Sequence, residues 1–332
     1  MSQEQKGGAN LSPAAEGGRK MALRVLKARD KANADRAKAL TTLSQAKGGK
    51  PEGDKNRLAD KSFAPIASVV QASRRRAAPV GQRGLLIAEG DSWFDYPRWD
   101  VLKLLEKEHG FEVESLSSWG DRVEDMAFAD DRLEKFVALI DKLLRRTDLL
   151  PRAVLLSGGG NDVAGKSFEL LINHFESPSA GVNKQIVEGI IDVRLREAYD
   201  RILSAIRSIC VERLGNPLPV IIHGYGDPVP DGRGFWGGWW FLPGPWLRPG
   251  FEMKGFAKQT ERNNEIKKIM GRFNRMLRNL AGQPHNAHVR FVDLRPCLES
   301  PQEDYKTMWD NELHPTKLGF SAVAREIARA IP

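Results

Sequence analysis

The sequence predicts an α/β fold built on a mainly parallel sheet of five strands. Two observations lead to this prediction: short apolar runs recur along the chain, and amphipathic helical patterns separate them. Alternating strands and helices are typical of parallel sheets, because parallel neighbours need a long crossover that is usually helical. The 332 residues are enough for one large domain with a complete core.

The basic character of the chain lies in its first 80 residues, which are predicted to be an extension of the domain formed by 81–332. The extension holds 17 Lys and Arg against 7 Asp and Glu, whereas the remainder holds 34 against 36. Gly17-Gly18 predicts a flexible point, and the Ala, Lys and Arg of 20–46 favour a helix with few apolar positions. We expect this segment to contact an acidic partner or a membrane surface, and a near-neutral domain makes nucleic acid an improbable partner.

The domain reads as five strand–helix units from Gly84 onward. Strands are predicted at Leu85–Ala88, Phe111–Leu116, Ala153–Leu156, Val220–His223 and Val289–Val292. Helices are predicted at Val101–His109, Arg132–Arg146, Val193–Leu214, Arg262–Leu280 and Leu318–Ile331.

The chain shows neither an apolar leader at its start nor an apolar run long enough to cross a bilayer. A cytoplasmic location is therefore the default expectation. Export by a route that does not need such a leader stays open.

Small and polar residues follow the first three predicted strands. Ser92, Gly120 and Asn161 each come shortly after one of them. Ligands of parallel α/β sheets gather at the carboxyl ends of the strands, so these residues are expected to share one site.

Four short blocks of the sequence resemble the conserved blocks of the SGNH (GDSL-type) serine hydrolases. They are Gly90-Asp91-Ser92-Trp93, Ser117-Ser118-Trp119-Gly120, Gly159-Gly160-Asn161-Asp162 and His314-Pro315-Thr316. Their order and strand context agree with that family from about residue 84 to the end of the chain. The resemblance implies a three-layer α/β/α sandwich and hydrolysis of an ester, with neither a cofactor nor a metal.

The same resemblance assigns the roles in the site. Ser92 is expected to be the nucleophile and His314 its base, because a serine hydroxyl reacts only when a neighbouring group takes its proton. The N–H groups of Ser92 and Gly120 and the amide of Asn161 are expected to form the oxyanion hole, since the tetrahedral intermediate needs preorganised donors. The ester is expected to be a carbohydrate acyl ester, a lipid or a small ester.

One position departs from the family pattern. The residue three places before His314 is ordinarily Asp, and here it is Asn311. Asn311 can orient the imidazole but brings no charge to stabilise its protonated form. We expect Asp310 to supply the carboxylate, with Glu312 or a backbone carbonyl as the alternatives. A chain with this change is also compatible with a binding or delivery module that has lost turnover.

A second motif overlaps the third block. Residues 160–167, Gly-Asn-Asp-Val-Ala-Gly-Lys-Ser, match the phosphate-binding pattern G-x-x-x-x-G-K-[ST], which makes a nucleotide-binding protein the alternative function. This interpretation leaves Ser92, Gly120 and His314 without a role.

An aromatic insert occupies about 226–255 and holds four of the eight tryptophans. It follows the fourth strand, so it is expected near the mouth of the site, where Trp236, Trp239 and Trp240 would contact a sugar ring or an acyl chain. Trp93, beside Ser92, is expected to form a wall of the pocket. The alternative is a self-packed loop whose aromatic residues make a small core of their own.

Overall fold

The computed structural model describes residues 11–46, 83–129, 131–146, 149–165, 167–235, 243–299 and 304–332. Its strands are β1 (Gly84–Glu89), β2 (Phe111–Ser115), β3 (Pro151–Leu156), β4 (Ile172–Asn173), β5 (Gly181–Val182), β6 (Val220–His223) and β7 (Val289–Val292). Five of them form one sheet in the order β2-β1-β3-β6-β7, and every neighbouring pair is parallel. The predicted five-stranded parallel sheet is confirmed.

Helices cover both faces of the sheet. They are α1 (Pro13–Ala46), α2 (Val101–His109), α3 (Val123–Phe128), α4 (Arg132–Leu144), α5 (Gly160–Val163), α6 (Lys184–Glu188), α7 (Arg196–Leu214), α8 (Arg248–Met253), α9 (Gln259–Ala281), α10 (Arg295–Leu298), α11 (Tyr305–Met308) and α12 (Lys317–Ala330). One group packs around α7 with α1, α3, α4 and α9, and another packs around α12 with α2, α10 and α11. The result is the three-layer α/β/α sandwich. Within the described ranges, no helix has the length and apolarity to cross a membrane.

The central strands are buried on both faces, which explains their unbroken apolar sequences. From Leu85 onward every residue of β1 is buried, and so is all of β6. Covering both faces removes the polar alternation of a half-exposed strand. Because the five strands are parallel, their carboxyl ends lie at the same edge of the sheet.

The N-terminal half of α1 is part of this packed structure. Met21, Ala22 and Leu26 are buried in the main core, and the helix lies along α7. Gly17 and Gly18 permit the contact: a Cβ on Gly18 would lie 2.1 Å from the carbonyl oxygen of Arg201. The prediction of a flexible point at this glycine pair is wrong, because the missing side chains serve close helix packing. The chain around the predicted boundary at residue 80 lies outside the described residues.

We expect Gly18→Ala to destabilise the protein, because the new methyl group has no room against α7. Overpacking of this kind typically costs about 1–3 kcal/mol. Chemical denaturation measures the free energy of unfolding. The matched control is Ala34→Leu on the exposed half of the same helix, which is expected to change stability by less than about 0.5 kcal/mol. Equal effects of the two substitutions would contradict the docking of α1.

Candidate active site

A serine and a histidine meet at the carboxyl edge of the sheet. Ser92 lies in the turn that follows β1, and His314 lies just before α12. The Nε2 atom of His314 is 2.8 Å from the Oγ atom of Ser92. Both residues are buried, with 4% and 2% of their surface exposed. This is the distance at which a base can take the proton of a serine hydroxyl.

Asn311 orients the imidazole of His314 from the other side. Its Oδ1 accepts three hydrogen bonds: from the Nδ1 of His314 at 3.0 Å, from the backbone N–H of His314 at 2.9 Å, and from the backbone N–H of Leu313 at 3.0 Å. The two backbone bonds fix the oxygen, and the oxygen then fixes the ring with its proton on Nδ1. Nε2 is left as the acceptor that faces Ser92.

Asp310 does not take the position that was expected of it. The carboxylate of Asp310 contacts the Nδ2 of Asn311 at 3.3 Å and not the ring of His314. The backbone explains this, because the N–H of Asp310 pairs with the carbonyl of His314 at 2.9 Å and sets the spacing of the turn. The amide of Asn311 therefore separates the carboxylate of Asp310 from the imidazole of His314.

Tyr96 completes the support of His314, and no motif in the sequence marks it. Its ring stacks on the imidazole with centroids 4.3 Å apart and planes inclined by 22°. Its hydroxyl accepts a hydrogen bond from the Nδ2 of Asn311 at 3.0 Å. Burial, followed by the charge of Asp310, raises the pKa of Tyr96, so the phenol stays neutral. Tyr96 and Asp310 together leave the amide of Asn311 only one orientation.

His314 is kept neutral by its surroundings. Burial lowers its pKa from 6.5 to about 3. Desolvation disfavours the charged ring, and the amide of Asn311 adds no opposite charge to restore it. The imidazole is therefore in its basic form at neutral pH, and well below it.

Asp91 holds together the strand ends around Ser92. Its carboxylate accepts hydrogen bonds from the backbone N–H of Trp93 at 3.0 Å, from the hydroxyl of Ser157 at 2.8 Å and from the hydroxyl of Tyr225. These partners follow β1, β3 and β6. The turn that carries Ser92 is thereby tied to two other strands.

Of the three expected oxyanion donors, Ser92 and Gly120 lie in turns and Asn161 lies in α5. Asn161 lines the same small cavity as Ser92, and its Nδ2 donates to the carbonyl of Asp121 at 2.9 Å, next to Gly120. Gly120 has a φ of +85°, which favours glycine. Within the part of the chain that the structure describes, no hydrogen bond engages the backbone N–H of Ser92 or Gly120.

The cavity beside Ser92 is small and mostly apolar. Its volume is about 40 Å³. Its apolar lining comes from Trp93, Val163, Ala164, Leu247, Ile266, Met270, Trp309 and Leu313. Trp93 lines this cavity. Its indole N–H also donates to the carbonyl of Leu313 at 3.1 Å and so braces the loop of His314.

The described part of the aromatic insert is anchored to the loop of His314 by Glu312. The buried carboxylate of Glu312 accepts hydrogen bonds from four backbone N–H groups at 2.6–3.0 Å. The donors are Gly232, Trp246, Leu247 and Arg248. Glu312 is thus a structural anchor and does not approach the imidazole.

Aromatic residues of the insert reach the site itself. The ring of Trp246 lies edge-on to the ring of His314, with the ring centroids 5.6 Å apart. The ring of Phe235 lies edge-on to that of Tyr96, also with the centroids 5.6 Å apart. Trp236, Trp239 and Trp240, the expected substrate contacts, lie outside the described residues.

The phosphate-binding motif has a different structural context from the one that its function needs. Gly160–Val163 forms a single helical turn, and Phe168–Leu171 forms a short 3₁₀-helix that leads into β4. A phosphate-binding loop instead opens directly into a long helix.

Among the described residues, His, Cys, Asp and Glu form no cluster of three that is able to hold a metal ion.

The fold and this pair of side chains define a class, the α/β/α hydrolases with serine and histidine at the carboxyl edge of the sheet. Residues 87–322 match the model of the GDSL-like lipase/acylhydrolase family. The match spans well over half of the chain, so the protein belongs to this family and is an esterase/lipase-type hydrolase. The resemblance of the four sequence blocks is thereby confirmed.

Solved structures with a similar fold include three hydrolases. The lipase Lip_vut3 from a goat rumen metagenome is 16% identical, with a TM-score of 0.44 over 74% of this chain and 97% of that chain. A catalytic mutant of Axe2, an acetylxylan esterase from Geobacillus stearothermophilus, is 16% identical, with a TM-score of 0.40 over 76% and 96%. LAE5, an α/β hydrolase from the metagenome of Lake Arreo, is 15% identical, with a TM-score of 0.43 over 75% and 95%. No curated protein matches the chain.

We expect the double substitution Asn311→Asp with Asp310→Asn to raise the pKa of His314. The new carboxylate meets Nδ1 directly and favours the protonated ring, and an opposite charge at this distance typically shifts a pKa by about 1–3 units. A titration of the histidine ring signals by NMR measures the shift.

The matched control for this swap is Asp310→Asn alone, which leaves the amide of Asn311 against the ring. In that variant the pKa of His314 is expected to stay far below 6.5. An unchanged pKa in the double variant would show that Asn311 does not contact His314.

Proposed function

We propose that the protein hydrolyses an ester through an acyl-enzyme formed on Ser92, with His314 as the base. The observation that carries this proposal is the 2.8 Å contact between Nε2 of His314 and Oγ of Ser92. In the first half-reaction His314 takes the hydroxyl proton while Oγ bonds to the ester carbonyl carbon. The C–O bond of the ester then breaks, and the proton on Nε2 passes to the departing alcohol.

The second half-reaction repeats these steps with water. His314 deprotonates a water molecule, which attacks the acyl carbon, and the bond to Oγ breaks as the acid departs. Oγ recovers its proton from Nε2. The same base therefore serves both halves, and atoms and protons balance over the cycle.

The donors proposed for the tetrahedral oxyanion are the N–H groups of Ser92 and Gly120 and the amide of Asn161. The two backbone groups have no partner among the described residues. Asn161 uses one amide proton on Asp121, which fixes the side chain and leaves the second proton for the substrate. Losing one donor of this kind typically lowers kcat by about 10²–10³-fold.

An amide behind the histidine is compatible with this mechanism because its orientation is fixed. In serine proteases, replacing the orienting Asp with Asn lowers kcat about 10⁴-fold because the ring takes the wrong tautomer. Here Asn311 presents its oxygen to Nδ1, since its nitrogen is held by Tyr96 and Asp310. The tautomer is correct, although the imidazolium is stabilised by a dipole and not by a charge.

The cavity beside Ser92 favours a short acyl group. Its volume of about 40 Å³ holds only a few non-hydrogen atoms. Its apolar walls suit a methyl group better than a polar one. We therefore propose an acetyl ester or an ester of similar size, in preference to the ester of a long acyl chain.

Ser92→Ala is expected to lower the kcat for p-nitrophenyl acetate by at least about 10³-fold, because no other group takes over the nucleophile. A fluorophosphonate probe is expected to label the unchanged protein and not the variant. The matched control is Ser204→Ala, a serine on α7, which is expected to retain both activity and labelling. Undiminished hydrolysis by the Ser92 variant would contradict the mechanism. An unreactive Ser92 would favour the binding or delivery module.

A further inference from the structure

An ion pair holds the turn that carries Gly120. The guanidinium of Arg132, the first residue of α4, pairs with the carboxylate of Asp121, which directly follows Gly120. Arg132 is the only ion-pair partner of Asp121 in the described part of the chain. The side chain of Asp121 is only 15% exposed. A partly buried carboxylate of this kind depends on its counter-ion more than an exposed one does.

Asp121 also joins the turn of Gly120 to Asn161. Its carbonyl oxygen accepts a hydrogen bond from the Nδ2 of Asn161 at 2.9 Å. Gly120 is the preceding residue, so a shift of Asp121 moves the N–H of Gly120 and the amide of Asn161 together. Holding Asp121 in place therefore holds two of the three proposed oxyanion donors.

A second carboxyl group, Glu89, lies beside the same ion pair. Glu89 is the last residue of β1 and is 4% exposed. Its Oε1 is 3.8 Å from the Nη2 of Arg132 and has no hydrogen-bond partner in the described ranges. Burial raises the pKa of Glu89 to about 8, against the opposing effect of Arg132. Glu89 is thus mainly protonated at neutral pH and leaves the guanidinium to Asp121.

Ionisation of Glu89 would place two carboxylates beside one guanidinium. The charged groups that act on Glu89 are Arg132 of α4 and Asp121 of the turn after β2. A charged Glu89 would attract Arg132 and repel Asp121, and Asp121 is already repelled by the carboxylates of Asp91 and Asp125. The ion pair that holds Asp121 would therefore weaken.

From this arrangement we infer that Arg132 is a positioning residue for the oxyanion hole. Through Asp121 it fixes the backbone N–H of Gly120 and the amide of Asn161. The inference rests on the proposed hydrolysis at Ser92 and on the three proposed donors. Arg132 is not part of the lining of the cavity beside Ser92, so it acts through Asp121 and not on the substrate.

Arg132→Ala is expected to lower the kcat for p-nitrophenyl acetate by at least about tenfold, because misplaced donors stabilise the oxyanion less. The KM is expected to change by less than about twofold, since both half-reactions pass through the same oxyanion and are slowed alike. Arg132→Lys keeps the positive charge and is expected to recover part of the lost kcat. The matched control is Lys135→Ala, which removes a cation one turn farther along α4 that pairs with Asp131. It is expected to retain the kcat.

The outcomes separate this inference from the proposed function. A kcat of Arg132→Ala equal to that of the unchanged protein, or a loss confined to KM, would overturn the inference alone. Absence of ester hydrolysis by the unchanged protein would overturn the proposed function and, with it, the inference.

The pH dependence of kcat tests the same contact in a protein whose Arg132 is intact. The kcat of the unchanged protein is expected to fall as the pH rises through about 8, where Glu89 ionises and competes with Asp121 for Arg132. His314 adds no titration in this range because it is already in its basic form. Glu89→Gln does not ionise, so its kcat is expected to stay level there. An alkaline limb in both proteins, or in neither, would overturn the inference.

Discussion

The side-chain oxygen of Asn311, Oδ1, is the hydrogen-bond acceptor on which the geometry of the site depends. It fixes the backbone of Leu313 and His314 and the ring of His314 through three hydrogen bonds. If it were displaced, the imidazole would lose both its tautomer and its distance to Ser92. A carboxylate would supply these bonds together with a charge. In this chain the charge stands behind the amide, on Asp310. Asn311 therefore orients the ring through a dipole, without the charge that an Asp at this position would add.

The rest of the site follows from a rigid sheet with one functional edge. Parallel strands place Ser92 and Asn161 at the same end of the sheet, and the carboxylate of Asp91 ties three of those strand ends together. Glu312 then anchors the insert to the loop of His314.

Local sequence was sufficient for the sheet, because strands buried on both faces leave unbroken apolar runs. Ser92 and His314 were predicted from the family resemblance, and their side chains lie 2.8 Å apart. The predicted strands lie within two residues of the observed ones. Contacts between distant parts of the chain were not predictable in this way. The short strand β5 is held by Glu265, whose carboxylate accepts from Val182 at 2.9 Å. Tyr96 and Glu312 act across more than 60 residues, so no local pattern identifies them. The start of α7 was misplaced because a π-helix, Gly189–Leu195, precedes it.

In the proposed mechanism a neutral His314, oriented by an amide, activates Ser92. The pH dependence of kcat/KM for p-nitrophenyl acetate tests it most directly, because this parameter reports the ionisation of the free enzyme. Burial sets the pKa of His314 at about 3. The base form therefore persists as the pH falls, and activity is lost only as the pH approaches that value. We expect a kcat/KM that is level from neutral pH to about pH 5, about two units above the pKa of His314. An acidic limb centred near 6.5, the ordinary pKa of histidine, would contradict it.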